Sequence, residues 1–424
     1  MFNHIKILKI MKTKINIGLF GFGCVGQGLF EVLNESSLID AKISNIVVKN
    51  KDKKRSISSS HFSFDKDDIL KNESINTVVE LIDDAEAAYD IVISAIKSGK
   101  NVVSANKKLI AHHLEELVAL AEKHQVSFLY EASVCASIPI IRNIEEYYNS
   151  DALNGLQGIC NGTTNYILSQ TGKGLTYEEA LLKAQELGFA ESDPTLDVDG
   201  FDAKYKLQIL LKHAFGVTTK PEDVFNYGVR QIRPEHVQYA KEKGYKLKLF
   251  STAKRIGDKV YGFVAPHFIP STHSAYNVED EFNAVAVEAL FSSEQLFVGK
   301  GAGSHPTASA VLSDIAALNY DYRYEYNHSK PEKNQLKFSN DCLIKIYLGS
   351  QNIENITSFP FEKREELFVS EGYNFATGWV KLNEIVVVNF NDRSDLFFGV
   401  LPEGIKDTTV EGTKEIEKLE ALNS

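Results

Sequence analysis

Hydrophobic and polar positions change their period twice along the chain. From residue 14 to about 132, short and nearly continuous apolar runs alternate with helix-period segments. The apolar runs are INIGLF (Ile15–Phe20), ISNIVVK (Ile43–Lys49), TVVELI (Thr77–Ile82), NVVSA (Asn101–Ala105) and VSFLY (Val126–Tyr130). Between them VGQGLFEVLN, Ala85–Ser98 and Leu109–His124 predict helices. Strands that are apolar on both faces, each followed by a helix, predict a doubly wound parallel sheet in an α/β architecture.

After residue 135 the pattern shifts. A helix is predicted over Ser137–Tyr148, a strand at GLQGIC, and helices at Asn165–Gln170 and Tyr177–Leu187. KLKLFSTAKR, KVYGFVAPHFI, FNAVAVEAL and EQLFVGKG then predict the strands of an α+β second domain. Its open sheet is suited to pairing with a second copy, so a homodimer is expected. GAGSHPTASAVLSDIAAL (Gly301–Leu318) reads as a glycine turn opening a helix. From about residue 335 onward, strand-like runs punctuated by Asn and Gly predict a small β-rich extension.

The chain has 424 residues, enough for two or three domains. A net charge of −11 argues against nucleic acid or an anionic membrane as main partner. Cys24, Cys135, Cys160 and Cys342 are widely spread with no CxxC pair, which fits reduced thiols in the cytoplasm. No apolar run approaches the roughly 20 residues that span a bilayer. The opening MFNHIKILKIMKTK lacks the length and cleavage site of a secretory signal, and Met11 is an alternative start.

GFGCVG (Gly21, Gly23, Cys24, Val25, Gly26) follows a strand and opens a helix. In that context the glycines permit a tight turn, close approach of a pyrophosphate, and close helix packing, with the phosphates at the helix N-terminus. A Rossmann-type dinucleotide-binding domain is therefore expected over 12–135, completed by about 301–330. Residues 136–300 would form the substrate-binding and dimerisation domain, and 335–424 the extension. After the second strand stand Lys49, Asn50 and Lys51, with Lys53, Lys54 and Arg55 close behind. Positive charge where an acid would accept from a ribose 2′-hydroxyl favours a 2′-phosphate, so NADP(H) is expected first and NAD(H) as the alternative.

Leu187–Lys206 reads LGFAESDPTLDVDGFDAKYK and crowds five carboxylates (Glu191, Asp193, Asp197, Asp199, Asp202) ahead of a helix carrying Lys206. Asp202 and Lys206 share a helical face, which Ile209 and Leu210 continue. The pattern predicts a partly buried lysine beside a site for a cationic group. Desolvation would lower its pKa, letting it pass protons near neutrality. SANKK places Lys107 just beyond a strand's carboxyl end, where ligands bind in open parallel sheets, with Lys108 turned to solvent. EASVCASIPI (Glu131–Ile140) reads as an extended segment whose carbonyls can hold a cation. NGTTN (Asn161–Asn165) offers hydroxyls and a helix N-terminus to a carboxylate.

These motifs, with VVELI, GICNGTTNYIL, AQELGFAESDPTLDVDGFDAKYK and GKGAGSHPTASAV, resemble homoserine dehydrogenase in register over roughly residues 15–318. The resemblance implies reversible, NAD(P)H-dependent reduction of L-aspartate 4-semialdehyde to L-homoserine, on the route to threonine and methionine. It implies Lys206 as proton donor, Lys107 assisting near cofactor and substrate, and Glu191 and Asp202 holding the substrate, with Gly162 and Thr163 at its carboxylate. Gly301 and Gly303 match a glycine segment on the nicotinamide side. A monovalent cation, usually sodium, is implied at the carbonyls of Glu131, Val134, Ala136 and Ile138. Cys135 and Ser137 stand where the family usually has glycines, and Asp83–Asp84 where it often has a glycine pair. The two acids are expected to point away or to cap the next helix. Residues 335–424 lack the DxPG-like turn of a regulatory ACT domain, so the extension is expected not to be ACT-like.

Overall fold

The structure, a computed structural model, describes residues 14–37, 39–330, 336–388, 390 and 393–408. Residues 1–13, with Met11, and the end of the 335–424 segment from 409 lie outside the described residues. The chain divides into two compact units. One holds the segment up to Leu109 with Glu115–Ala132 and Gly303–Tyr324; the other holds Ile110–Leu114, Ser133–Ala302 and the segment from Glu325.

The first unit is built on six parallel strands: β1 (Ile15–Phe20), β2 (Ala41–Val47), β3 (Phe62–Ser63), β4 (Thr77–Glu80), β5 (Asn101–Ser104) and β6 (Phe128–Leu129). Their order is β3-β2-β1-β4-β5-β6, the doubly wound Rossmann arrangement. Ile17, Leu19, Val78, Val79, Val102 and Val103 are wholly buried, as strands covered on both faces require. The order reverses between β1 and β4, so the binding crevice lies off their carboxyl ends. Asp84 caps the helix Ala85–Lys97, its carboxylate accepting from the Ala87 N–H at 3.1 Å. The helix Ser304–Ala317 returns to this unit and packs on the helix Cys24–Glu35.

The second unit is organised by one large mixed sheet. Its strands are β7 (Leu153–Ile159), β8 (Phe225–Asn226), β9 (Tyr245–Ile256), β10 (Lys259–Pro270), β11 (Phe282–Ala289), β12 (Ser293–Lys300), β13 (Lys337–Phe338), β14 (Cys342–Ser350), β15 (Lys363–Phe368), β16 (Asn374–Lys381) and β17 (Leu396–Asp407). The order is β12-β11-β7-β9-β10-β17-β14-β16-β15, with β8 and β13 short partners of β10. The helix Phe201–Phe215 packs on β9 and β10 with nearly every residue buried.

One expectation is corrected here. Glu131–Ile140 is not extended: a 3-10 turn at Glu131–Ser133 leads into turns and then a helical segment from Ile140. The C-terminal segment is β-rich as expected, with short helices at Ile353–Thr357 and Leu382–Val387 separating β14 from β15 and β16 from β17. Both helices pack on β14 and β16, giving a βαββαβ unit of ferredoxin-like topology. Absence of the DxPG-like turn is therefore no guide to its topology.

Candidate active site

In the first unit the glycine turn is built as its spacing requires. Gly21 has φ +93°, and a Cβ there would lie 2.4 Å from the Leu81 carbonyl oxygen. Nothing lies within 4 Å of a Cβ on Gly23, which caps the helix Cys24–Glu35 and leaves room for a phosphate beside the exposed Cys24. Gly26 packs its α-carbon face on the Gly21 carbonyl, and Val25 is half-buried beside it. Gly28, just outside the GFGCVG motif, is also needed: a Cβ would collide with Ser304 at 2.4 Å. Ser304 donates to the Cys24 carbonyl at 2.9 Å, and Gly303, at φ +118°, starts the Ser304–Ala317 helix.

Lys49 is exposed beyond β2, whereas Arg55 is held. The Arg55 guanidinium lies 4.9 Å from the Phe62 ring centroid and donates to the Lys53 carbonyl at 2.8 Å; its buried Nε has no hydrogen-bond partner among the described residues. Phe62 in turn meets Phe22 of the glycine turn edge-on at 5.1 Å. Spacing alone had pointed to Lys49, because cation–π seating of Arg55 depends on the fold-back of β3.

Lys107 is half-buried at the first position of the helix Lys107–His124, directly off β5. Asn106 fixes that position: its side chain accepts from the Leu109 N–H at 3.0 Å and donates to the Ile82 carbonyl at 3.1 Å. Lys108 is exposed. Glu80, at the end of β4, is wholly buried and accepts from the Ser104 hydroxyl at 2.6 Å and the Ile82 N–H at 2.7 Å. Burial pushes its carboxyl up to about 7, against those hydrogen bonds.

In the second unit Lys206 is buried on the helix Phe201–Phe215. Its Nζ donates to the Cys160 carbonyl at 2.6 Å and to Asp202 Oδ2 at 2.7 Å. Asn161 ties this pair to the next helix. Its side-chain oxygen accepts from the Thr164 N–H at 2.9 Å, capping Gly162–Gly172, while its amide donates to Asp202 at 2.9 Å and Asp197 at 2.7 Å. Gly162 opens that helix against the Glu281 carbonyl, only 2.7 Å from where a Cβ would stand. Thr163 is buried, its hydroxyl directed to the Phe189 carbonyl (2.6 Å) and Asp197 (3.1 Å).

The expected lowered pKa of Lys206 is overturned. Burial does push the ammonium down, but the Asp202 carboxylate at 2.7 Å, helped by Cys135 and Cys160, more than offsets it and the net shift is upward. Asp197 is raised, first by burial and then by the neighbouring Asp202 charge.

The acidic loop splits by role. Asp199 is clamped by Arg230 through contacts of 2.8 and 3.0 Å, and Asp193 accepts from the Thr195 N–H at 3.1 Å. Glu191 is exposed, and the described residues offer its carboxylate no partner, so the free chain does not gather it with Asp202. Asn161, Asp197, Arg230 and Asn283 are not among the individual site residues read from the sequence, although Asp197 is one of the five loop acids and Asn161 opens the NGTTN turn. Asn283 is wholly buried, and its amide occupies the space a Cβ on Gly301 would need.

In the proposed cation loop, Glu131 is buried in the first unit, its N–H donating to Asp314 at 2.9 Å. Val134, Ala136 and Ile138 are buried in the second unit. Cys135 (φ +54°) and Ala136 (φ +40°) both adopt left-handed backbone, at the first of which the family's glycine is replaced. Ser137 does not.

Residues 139–316 match the family model for homoserine dehydrogenase, and residues 21–131 that for its NAD binding domain. The homoserine dehydrogenase of Lactococcus lactis subsp. lactis is 40% identical over 316 residues, covering 72% of this chain and 74% of that one. Among solved structures, a homoserine dehydrogenase from Thiobacillus denitrificans superposes with a TM-score of 0.81 at 29% identity, over 92% of this chain and 98% of that one. A hyperthermophilic archaeal homoserine dehydrogenase in complex with NADPH gives a TM-score of 0.62 at 26% identity, over 74% of this chain and 99% of that one.

Proposed function

The chain belongs to the homoserine dehydrogenase family, and from that premise we propose that it reduces L-aspartate 4-semialdehyde to L-homoserine, reversibly, with NADP(H) and with Lys206 as proton donor. The observation that carries the role of Lys206 is its hydrogen bonding. An ammonium has three N–H donors, and the described residues take two of them, Cys160 and Asp202. The third is left for the substrate's carbonyl oxygen.

NADP(H), when bound, supplies or accepts the hydride at the aldehyde carbon. The chain's own residues handle the oxygen. Lys206, kept charged by Asp202, donates a proton as negative charge develops there, so an alkoxide never stands alone. The substrate's α-carboxylate would take the free N–H groups at Gly162 and Thr163. Its ammonium would lie by Asp197 and Asp202, whose mutual repulsion an added cation relieves; Glu191 would have to swing inward to join them. Lys107, fixed by the Asn106 cap, would assist from the first unit.

Arg55, with Lys49, supports the NADP(H) preference, as does the NADPH complex of the archaeal relative. A monovalent cation is also proposed. Carbonyls of Val134, Ala136 and Ile138, in a buried irregular turn that offers no regular ladder, with Glu131, suit a hard ion, which would stiffen the turn. Homodimerisation through the sheet of the second unit, and a place on the route to threonine and methionine, complete the proposal. Among the described residues no helix is long and apolar enough to cross a membrane.

The test is nicotinamide absorbance with purified full chain, homoserine or other small amino-acid alcohols, and each cofactor in turn. Homoserine with NADP should give the highest kcat/KM. Faster turnover of another amino-acid alcohol would refute the substrate, and faster turnover with NAD the cofactor.

A further inference from the structure

A second cavity in the second unit has no part in the chemistry above. Its volume is about 470 Å³, inside the roughly 300–1,000 Å³ usual for small-molecule sites. Lys173, Lys241, Lys246, Lys248 and Glu279 line it. Leu168, Val237, Ala240, Leu247 and the Tyr245 and Tyr276 rings give it an apolar wall.

The cations outnumber the acids that face them. Lys173 pairs with Asp280 at 3.0 Å, while Lys246 and Lys248 share the single carboxylate of Glu279. Lys248 is only 1% exposed, and its Nζ rests on the Asn165 side-chain oxygen at 3.0 Å and the Val278 carbonyl, with Glu279 at 3.5 Å. Burial pushes its ammonium down to about 8, because no carboxylate is devoted to it. The C-terminal half-charge of the Gly162–Gly172 helix accounts for at most one of these cations. We propose that this cavity is a binding site for a small organic carboxylate with an apolar body, distinct from the site around Lys206. Its carboxylate would meet Lys241 and Lys246, with the charge of Lys248 behind them, and its body the Leu168–Val237–Leu247 wall.

The cavity also bears on the reaction. Leu168–Gly172, the end of the Gly162–Gly172 helix, forms one wall, while Gly162 and Thr163 at its start belong to the proposed substrate site. Asn165 couples the two ends, accepting from Lys248 and donating to the Phe282 carbonyl at 3.0 Å. Occupancy should therefore change the KM for homoserine, a consequence that rests on the proposed function.

Calorimetry on the full chain separates the parts. 3-Methylbutanoate should bind saturably, acetate at least tenfold more weakly, and 3-methylbutanol not at all. Lys241→Glu/Lys246→Ala and, independently, Val237→Trp should each weaken 3-methylbutanoate at least tenfold while cofactor affinity stays unchanged. Absence of saturable binding to the wild-type chain, equal binding of acid and alcohol, or unchanged binding by both variants would overturn the site. A wild-type KM for homoserine that moves at least twofold at saturation supports the coupling, and an unmoved KM overturns it. Calorimetry decides the site even if homoserine is not turned over.

Discussion

Lys206 and Lys248 are both buried in the second unit, one on a helix and one on a strand, yet their charges are treated oppositely. Lys206 has a carboxylate at 2.7 Å and stays charged well above the ordinary lysine range. Lys248 has an amide and a carbonyl, shares a carboxylate at 3.5 Å, and falls to about 8. Burial penalises both. Both stay mostly protonated at neutral pH; the nearest carboxylate decides which holds its proton far into the alkaline range and which releases it near pH 8. The proton donor of the proposed reaction is thus a strong hydrogen-bond donor held ready, not an amine poised to titrate.

Removing the charged partner of the substrate oxygen should give the largest effect. Lys206→Ala should lower kcat by about 10²–10⁴-fold, the usual worth of a positioned general acid, with NADPH affinity by fluorescence titration within a few-fold of wild type. Loss of cofactor binding in step with activity would place the lysine in another role. In the loop after β2, Arg55→Ala should weaken NADP(H) by about 10–100-fold, the worth of one charge-assisted hydrogen bond, and leave NAD(H) nearly unchanged. Lys49→Asp should shift the ratio less. A larger shift from Lys49 would mean that the exposed lysine reads the 2′ position.

Glu80 extends the contrast to an acid without a counter-charge. Its folded pKa of about 7 lies above the ordinary 4.5, so the folded state binds the extra proton. The stability this contributes is full below about 4.5 and lost as pH rises through about 7, of order 3 kcal/mol in all. Glu80→Gln should flatten the fall in thermal stability across that window and be the more stable chain at pH 8. Parallel pH profiles for the two chains would show that Glu80 is ionised at little cost.

The first unit was legible because its rules are local. Glycine spacing, apolar strands and a helix start fix the sheet and the phosphate turn, and Gly21, Gly23, Gly26 and Gly303 stand where the motif implied. The Asp202–Lys206 pair was legible for the same reason, being one turn of helix. What escaped depends on distant contacts. The sign of the Lys206 shift depends on how close Asp202 comes once both are buried. The roles of Asn161 and Arg230 are set by a capped helix and a loop more than thirty residues apart in sequence from their partners. The C-terminal helices escaped because each has at most six residues, too few to show a period.

The most direct test of the central claim is the pH dependence of kcat for homoserine oxidation in the wild-type chain and in Asp202→Asn. With Asp202 present, Lys206 stays protonated far into the alkaline range, so the oxidative rate should keep rising with pH. With the carboxylate gone, burial dominates, and the midpoint of that rise should fall by at least about 1 pH unit. Superimposable profiles, or a midpoint displaced upward, would contradict the assignment of Lys206 as a proton donor held charged by Asp202.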